Sequence, residues 1–155
     1  SAQEIVRTGP PTSPISSVVS VPASFDMVYV SGMDPPTINP NAPAGSTEIY
    51  GGGTQAQTMG VLTRIKDALA TQGLTMADVV MMRVYLVGDP AKGGKMDFAG
   101  MMAAYNTFFG TTEQPNKPSR VTMQVASLVG EGMLVEIEVQ AAKKPTPPAP
   151  TRRRR

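Results

Sequence analysis

Strict alternation in the last two apolar runs constrains this chain more than any other feature of its sequence. In Ser119 to Ala126, Val121, Met123 and Val125 alternate with Arg120, Thr122 and Gln124. In Met133 to Ala141, Val135, Ile137 and Val139 alternate with Glu136, Glu138 and Gln140. Successive side chains of a strand point to opposite faces, so each run makes one apolar and one polar face. The apolar faces call for a covering layer of helices, which gives a two-layer sandwich. The polar faces either meet water or line an interface between copies that holds a polar pocket.

The helices are legible upstream. Thr54 with Gln57 three residues on predicts a capping box, and Met59, Leu62, Ile65 and Leu69 follow at helical spacing until Gly73. Phe98, Met101, Met102, Tyr105, Phe108 and Phe109 mark a second amphipathic helix ended by Gly110. Between them, Asp78 to Val87 is apolar on both alternations, as expected of a central strand covered on both sides, with Arg83 and Tyr85 on one face. Ser16 to Val21 and Met27 to Gly32, separated by Pro22 to Asp26, read as a hairpin, and Glu4 to Thr8 as a short edge strand. Asp34 to Gly53, rich in Pro, Gly and Asn, is a long surface loop. The resulting order, β-β-α-β-α-β-β, describes a single α/β (α+β) domain over residues 1–142 with a mixed sheet packed on two helices. From Lys143 onward a Pro- and Arg-rich tail cannot bury a core and is expected to be disordered.

Charge and residue usage remove several function classes. All 12 acidic residues precede position 143, whereas six of the 14 basic ones lie at or beyond it, so the body carries 8 − 12 = −4 and the overall +2 belongs to the tail. A nucleic-acid partner is therefore not expected. The absence of His and Cys removes the usual general base, thiolate chemistry and the commonest metal ligands. Asp34, Glu48 and Glu113 form no spaced metal set, and Gly51-Gly52-Gly53-Thr54 lacks the Lys-Ser/Thr of a phosphate loop, so no metal and no cofactor are expected. No apolar run approaches the roughly 20 residues that cross a bilayer, so no membrane partner is expected. The start at Ser1-Ala2-Gln3 would suit a processed, exported end.

Five stretches together resemble the RidA/YjgF/YER057c/UK114 (Rid) family over about residues 4–142. They are Val28-Tyr29-Val30-Ser31-Gly32, the Thr58 to Gly73 helix running into Leu74 to Val80, Val84-Tyr85-Leu86, the helix from Asp97-Phe98 to Phe109, and Pro118-Ser119-Arg120-Val121 with Val135-Glu136-Ile137-Glu138. The resemblance implies a chorismate-mutase-like homotrimer, cytoplasmic, with clefts between subunits. It also implies hydrolysis of reactive enamines and imines to 2-keto acids and ammonia without a cofactor. It places the key arginine on Arg120 and the pocket glutamate on Glu136. A guanidinium offers a planar fork to a substrate carboxylate, and a carboxylate beside the imine can orient or deprotonate water.

Ser31 and Gly32 are expected to bring a hydroxyl and an N–H to the same ligand, with Ile15, Met102 and Thr122 lining the pocket. These last three depart from the family's usual tyrosine, asparagine and cysteine, which makes this a divergent member with a more apolar pocket. The alternative function is a non-catalytic module that binds a small carboxylate such as a 2-keto acid in the same cleft. Ribonuclease action, also attached to the family, is disfavoured by the acidic body and the missing histidines.

Overall fold

The two alternating runs do not pair with each other; they flank the same central strand. The computed structural model describes residues 3–151. Its strands and α-helices follow in the order β1 (Val6–Thr8), β2 (Val18–Ser20), β3 (Asp26–Met33), α1 (Thr54–Ala70), β4 (Val79–Val87), α2 (Phe98–Tyr105), β5 (Ser119–Val125) and β6 (Val135–Lys143). The main sheet has the order β3-β6-β4-β5, with β4 and β5 parallel and the other pairs antiparallel. A parallel pair needs a crossover, and the segment carrying α2 supplies it. This mixed sheet under two helices is the α+β sandwich that the element order predicts.

The expected hairpin between the second and third runs is not formed. β2 pairs instead with β1, Arg7 lying opposite Val19, while β3 pairs with β6, Val30 lying opposite Val139. The turn from Pro22 to Phe25, closed by a 3.1 Å backbone bond, redirects the chain out of the ribbon. The nine-residue β6 then offers β3 a longer apolar partner than the three-residue β2 can.

Register decides which side of the sheet each residue faces, because cross-strand neighbours share a face. Met82, Val84 and Leu86 of β4 lie beside Val139, Ile137 and Val135 of β6, and all six are at most 2% exposed. Val61, Leu62, Ile65 and Leu69 of α1 and Met101 and Tyr105 of α2 complete this core. The other face of β4 (Met81, Arg83, Tyr85 and Val87) is only partly covered within the protomer, contrary to the expectation of a strand buried on both sides.

The assignment of faces on β5 is also reversed. Arg120, Thr122 and Gln124 lie beside Met82, Val84 and Leu86, on the helix side, and Val121, Met123 and Val125 look away from it. The helix layer is centred on β6 and β3, against which α1 packs, and β5 is the edge strand beyond β4. Its helix side can therefore hold a long polar chain, and its apolar side is left for something else to cover.

The capping box is not at Thr54. Gly53 is the N-cap of α1 and gives no side-chain bond, while the Thr54 hydroxyl is buried without a partner among the described residues. Gln57 is fully buried and acts at longer range. Its amide nitrogen donates to the carbonyls of Gly52 and Gly132, each at 2.9 Å, and its amide oxygen accepts from the Leu134 N–H at 2.8 Å. One side chain thus ties the helix start to both the long loop and the connection into β6. The reciprocal box occurs at Thr75 and Asp78, just before β4.

The loop from Asp34 to Gly53 lies against α1. Gly60 makes room for Pro36, since a methyl there would come within 2.8 Å of Pro36 Cδ, and Arg64 Nη1 donates to the Asp34 carbonyl at 2.6 Å. At the other end of the domain, β6 runs through Lys143, one residue past the expected boundary, and Lys144 pairs with Glu4 at 2.6 Å. The Arg152 to Arg155 run lies outside the described residues. Among those described, no helix is long and apolar enough to cross a membrane.

Candidate functional site

The residues singled out in the sequence gather into two groups on opposite faces of the main sheet. Arg120 belongs to the helix side. Its guanidinium carbon lies 4.4 Å from the Tyr105 ring centroid and 5.9 Å from that of Phe98, and Nη1 contacts Met102 Sδ at 3.2 Å. Phe98, Met102 and Tyr105 recur at helical spacing, so α2 presents them together to the edge strand. A flat cation over aromatic faces, with no acidic partner among the described residues, keeps N–H donors for an anion.

The ring under Arg120 is itself fixed. Tyr105 is 1% exposed, and its hydroxyl donates to the Pro14 carbonyl at 2.9 Å. Burial pushes its phenol up to about 12, with Arg120 and Arg7 pulling the other way. Burial likewise draws the Arg120 guanidinium below its ordinary value, and Tyr105 opposes the shift. Arginine is cationic far above neutral pH, so the clamp keeps its charge.

Ile15 follows Pro14 and packs on the core beside this group. The next residue, Ser16, fixes the segment with bonds to the Pro118 carbonyl at 2.9 Å and the Lys117 carbonyl at 2.6 Å. Thr122 is on the same face, two residues along β5, and its hydroxyl is buried without a partner among the described residues. Arg120, Met102, Ile15 and Thr122 are thus brought to one side.

Glu136 and Gly32 form the other group, while Ser31, expected with them, lines a separate groove with Tyr29, Met33, Ala68 and Thr71. β3 carries a bulge between Val30 and Met33, which spans Ser31 and Gly32. Bulges re-aim the chain locally, and here the bulge lays the Gly32 backbone against Glu136. A methyl on Gly32 would sit 2.7 Å from Glu136 Oε2, so a larger residue there would push the Glu136 carboxyl aside. Glu136 lies beside Tyr85 on the face turned away from the helices. Gly32, Tyr85, Val125, Ser127, Leu128, Glu136 and Glu138 line an open pocket of about 350 Å³ there.

Electrostatics in this pocket favour a held proton. Burial pushes the Glu136 carboxyl above the usual carboxylate range, reinforced by a hydrogen bond and charge repulsion from Asp34 and by the charge of Glu138. Glu138 is engaged elsewhere: the Tyr85 hydroxyl donates to its Oε1 at 2.6 Å, and Arg83 lies 3.8 Å from the same oxygen.

Within one protomer, then, Arg120 and Glu136 do not meet. Sequence reasoning missed Tyr105 and Phe98 as the seat of the arginine and Asp34 as the neighbour of the glutamate. The first signal was present, since both aromatics lie on the helix stripe that also holds Met102. Asp34 gave none, because a loop carboxylate carries no periodicity.

With both groups located, likeness to known proteins can be set against them. The family profile described as Endoribonuclease L-PSP matches residues 9–143. The chain belongs to the Rid/YjgF family. Among its relatives, a RutC family protein of Pyrococcus abyssi is 31% identical over 143 residues, covering 92% of this chain and 99% of that one. A RutC family protein of Saccharolobus solfataricus is 33% identical over 141 residues, covering 91% and 98%. Among solved structures, a Rid-family protein of unknown function from Yersinia pestis superposes with a TM-score of 0.66 at 26% identity, covering 90% of this chain and 98% of that one. A YjgF/YER057c/UK114 member from Mycobacterium tuberculosis gives 0.54 at 27% identity, covering 89% and 97%. The family match accordingly spans the residues of both groups.

Proposed function

We propose that this Rid-family chain is a cofactor-independent hydrolytic deaminase that converts 2-imino acids and their enamine tautomers to 2-keto acids and ammonia at clefts between copies of a homotrimer. The observation that carries the reading is the split itself. An anion clamp and a proton-holding carboxyl lie on opposite faces of one sheet, so a cleft between two copies can unite them where one protomer cannot. The uncovered face supports assembly. It exposes Tyr29 at 71% and Met123 at 41%, apolar area that a second copy would cover.

In such a cleft Arg120 of one copy takes the substrate carboxylate through two parallel N–H bonds. Glu136 of the neighbour faces the imine nitrogen and the attacking water. Water adds across C=N to give a carbinolamine; the C–N bond then breaks, nitrogen leaves as ammonia, and the hydroxyl becomes the keto oxygen. Glu136 passes protons between oxygen and nitrogen and returns to its starting state, work suited to a carboxyl whose pKa lies nearer neutrality.

The test is to generate 2-aminoacrylate, or a longer 2-imino acid, enzymatically and follow its decay. Wild type should accelerate decay, and Arg120→Ala should lose about 100-fold of that effect through the missing charged hydrogen bonds. Equal decay with both proteins contradicts the proposal. A second reading, a module that binds 2-keto acids without turnover, is favoured by the Met102 sulfur against Arg120, which takes up one N–H in an apolar setting. Calorimetry with a keto-acid panel separates the two: saturable binding that Arg120→Ala abolishes, with no accelerated decay, selects the module.

A further inference from the structure

Asp34 follows Met33 at the end of β3; Met33 lies opposite Ile137, so the antiparallel register brings Asp34 opposite Glu136, just past the bulge that seats Gly32 against the same carboxyl. Its Oδ1 is buried and has no hydrogen-bond partner among the described residues, while the carboxyl lies within hydrogen-bonding reach of Glu136. An ionised Glu136 would offer Asp34 no donor and face it with a second negative charge.

The surrounding charges do not relieve this. From β6 comes Glu138, a third carboxylate. From β4 come Tyr85 and Arg83, both directed to Glu138 Oε1. Arg64 of α1 reaches the Asp34 main-chain carbonyl at 2.6 Å. Val125, Ser127 and Leu128, from the end of β5 and beyond, add no charge. Among the described residues, no group of three or more ligating side chains could hold a metal ion in place of a proton.

We infer that Asp34 is a positioning residue for Glu136: its carboxyl, opposite Glu136, keeps a proton on Glu136, so Glu136 enters the cleft as an acid. This deepens the deaminase reading and rests on it for the chemical step, though not for the proton itself. In that step the Glu136 O–H bond breaks and its proton goes to the imine nitrogen. Water then adds to the carbon and gives a proton back to the Glu136 carboxylate. The carbinolamine expels ammonia, its hydroxyl proton passing to nitrogen, so the carboxyl pair ends as it began. The hydrogen bond and the charge of Asp34 add to burial in keeping the Glu136 proton above the pH at which an unpaired glutamate would lose it.

The experiment uses the full-length assembly with ¹³C-labelled glutamate carboxyls, titrated by NMR without ligand, the Glu136 signal being the one lost in Glu136→Gln. In wild type Glu136 should titrate above the ordinary glutamate range. In Asp34→Asn its midpoint should fall toward that of an unpaired glutamate, and in Glu138→Gln it should fall less. Asp34→Ser, which keeps the carbonyl that Arg64 bonds, carries the same expectation should the asparagine variant not fold. An unchanged midpoint in the Asp34 variants overturns the inference, whatever the activity.

The pH–rate profile then reads the role. Asp34→Asn should keep near wild-type turnover at about pH 5 and lose about tenfold at about pH 8, with KM little changed, because only the protonated fraction of Glu136 falls. A loss uniform across pH marks a merely structural effect and overturns the positioning role. If wild type turns over no imine, the deaminase reading fails, while the titration still decides the proton.

Discussion

The two faces of the main sheet are built from the same strands and differ in almost every physical respect. Under the helices, Met82, Val84, Leu86, Val135, Ile137 and Val139 are closed off from water. One residue away along each strand, Arg83, Tyr85, Glu136, Glu138, Met123 and Val125 face outward, part polar and part apolar. A face that is neither dry nor uniformly charged suits an interface with a pocket in it. The lesson is a division of labour. The covered face stabilises the protomer, and in the proposed function the open face, together with the edge where Arg120 sits, carries recognition.

The largest stability effect is expected on the covered face. Ile137→Ala should lower the unfolding free energy by about 3 kcal/mol, because it opens a cavity beneath both helices, as read by denaturant melts at fixed protein concentration. Close behind comes an alkaline effect at the same face. Burial raises the Tyr105 phenol from 10 to about 12 in the folded chain, so the neutral ring is favoured there. The associated stability is fully present below pH 10 and is lost as pH rises through about 12. Its size is roughly 3 kcal/mol, because each tenfold gain in proton affinity on folding is worth about 1.4 kcal/mol. Tyr105→Phe should remove that steepening of alkaline unfolding.

Gln57→Leu should cost about 2 kcal/mol, since it strands the buried Leu134 N–H and two carbonyls that the amide now satisfies. The smallest protomer effect is expected on the open face. Met123→Lys should change unfolding by under about 0.5 kcal/mol yet disperse the assembly, which light scattering would show. A melt as damaged by Met123→Lys as by Ile137→Ala would erase the distinction between the faces.

Much of the covered face was legible in the sequence, because it depends on local periodicity. The α1 stripe of Leu62, Ile65 and Leu69, the central strand, and the shared face of Arg83 and Tyr85 all follow from spacing. Alternation on β5 likewise separated Arg120 from Val121 correctly, but it could not say which of the two faces turned inward. That depends on which strand lies at the edge, a property of long-range pairing. The apolar rule then fails at Arg120, which is half-buried, its guanidinium lying flat over Tyr105 and beside Phe98.

Gln57 was readable as a polar residue near a helix start. Its partners at Gly132 and Leu134 lie far along the chain, so the local capping pattern gave it the wrong task. The candidate site divided in the same way. Arg120 and Glu136 stood out by motif, whereas their placement on opposite faces, and the approach of Asp34 to Glu136, exist only after folding.

The central claim, that Arg120 and Glu136 act together only across two copies, is tested most directly by mixing two inactive variants, Arg120→Ala and Glu136→Gln, under conditions of subunit exchange verified by native mass spectrometry. Each mixed cyclic trimer then contains one interface with both groups intact. Activity toward the imine should return to roughly a quarter of wild type, that interface averaged over random assembly. Mixed trimers that form and remain as inactive as either parent would contradict the account.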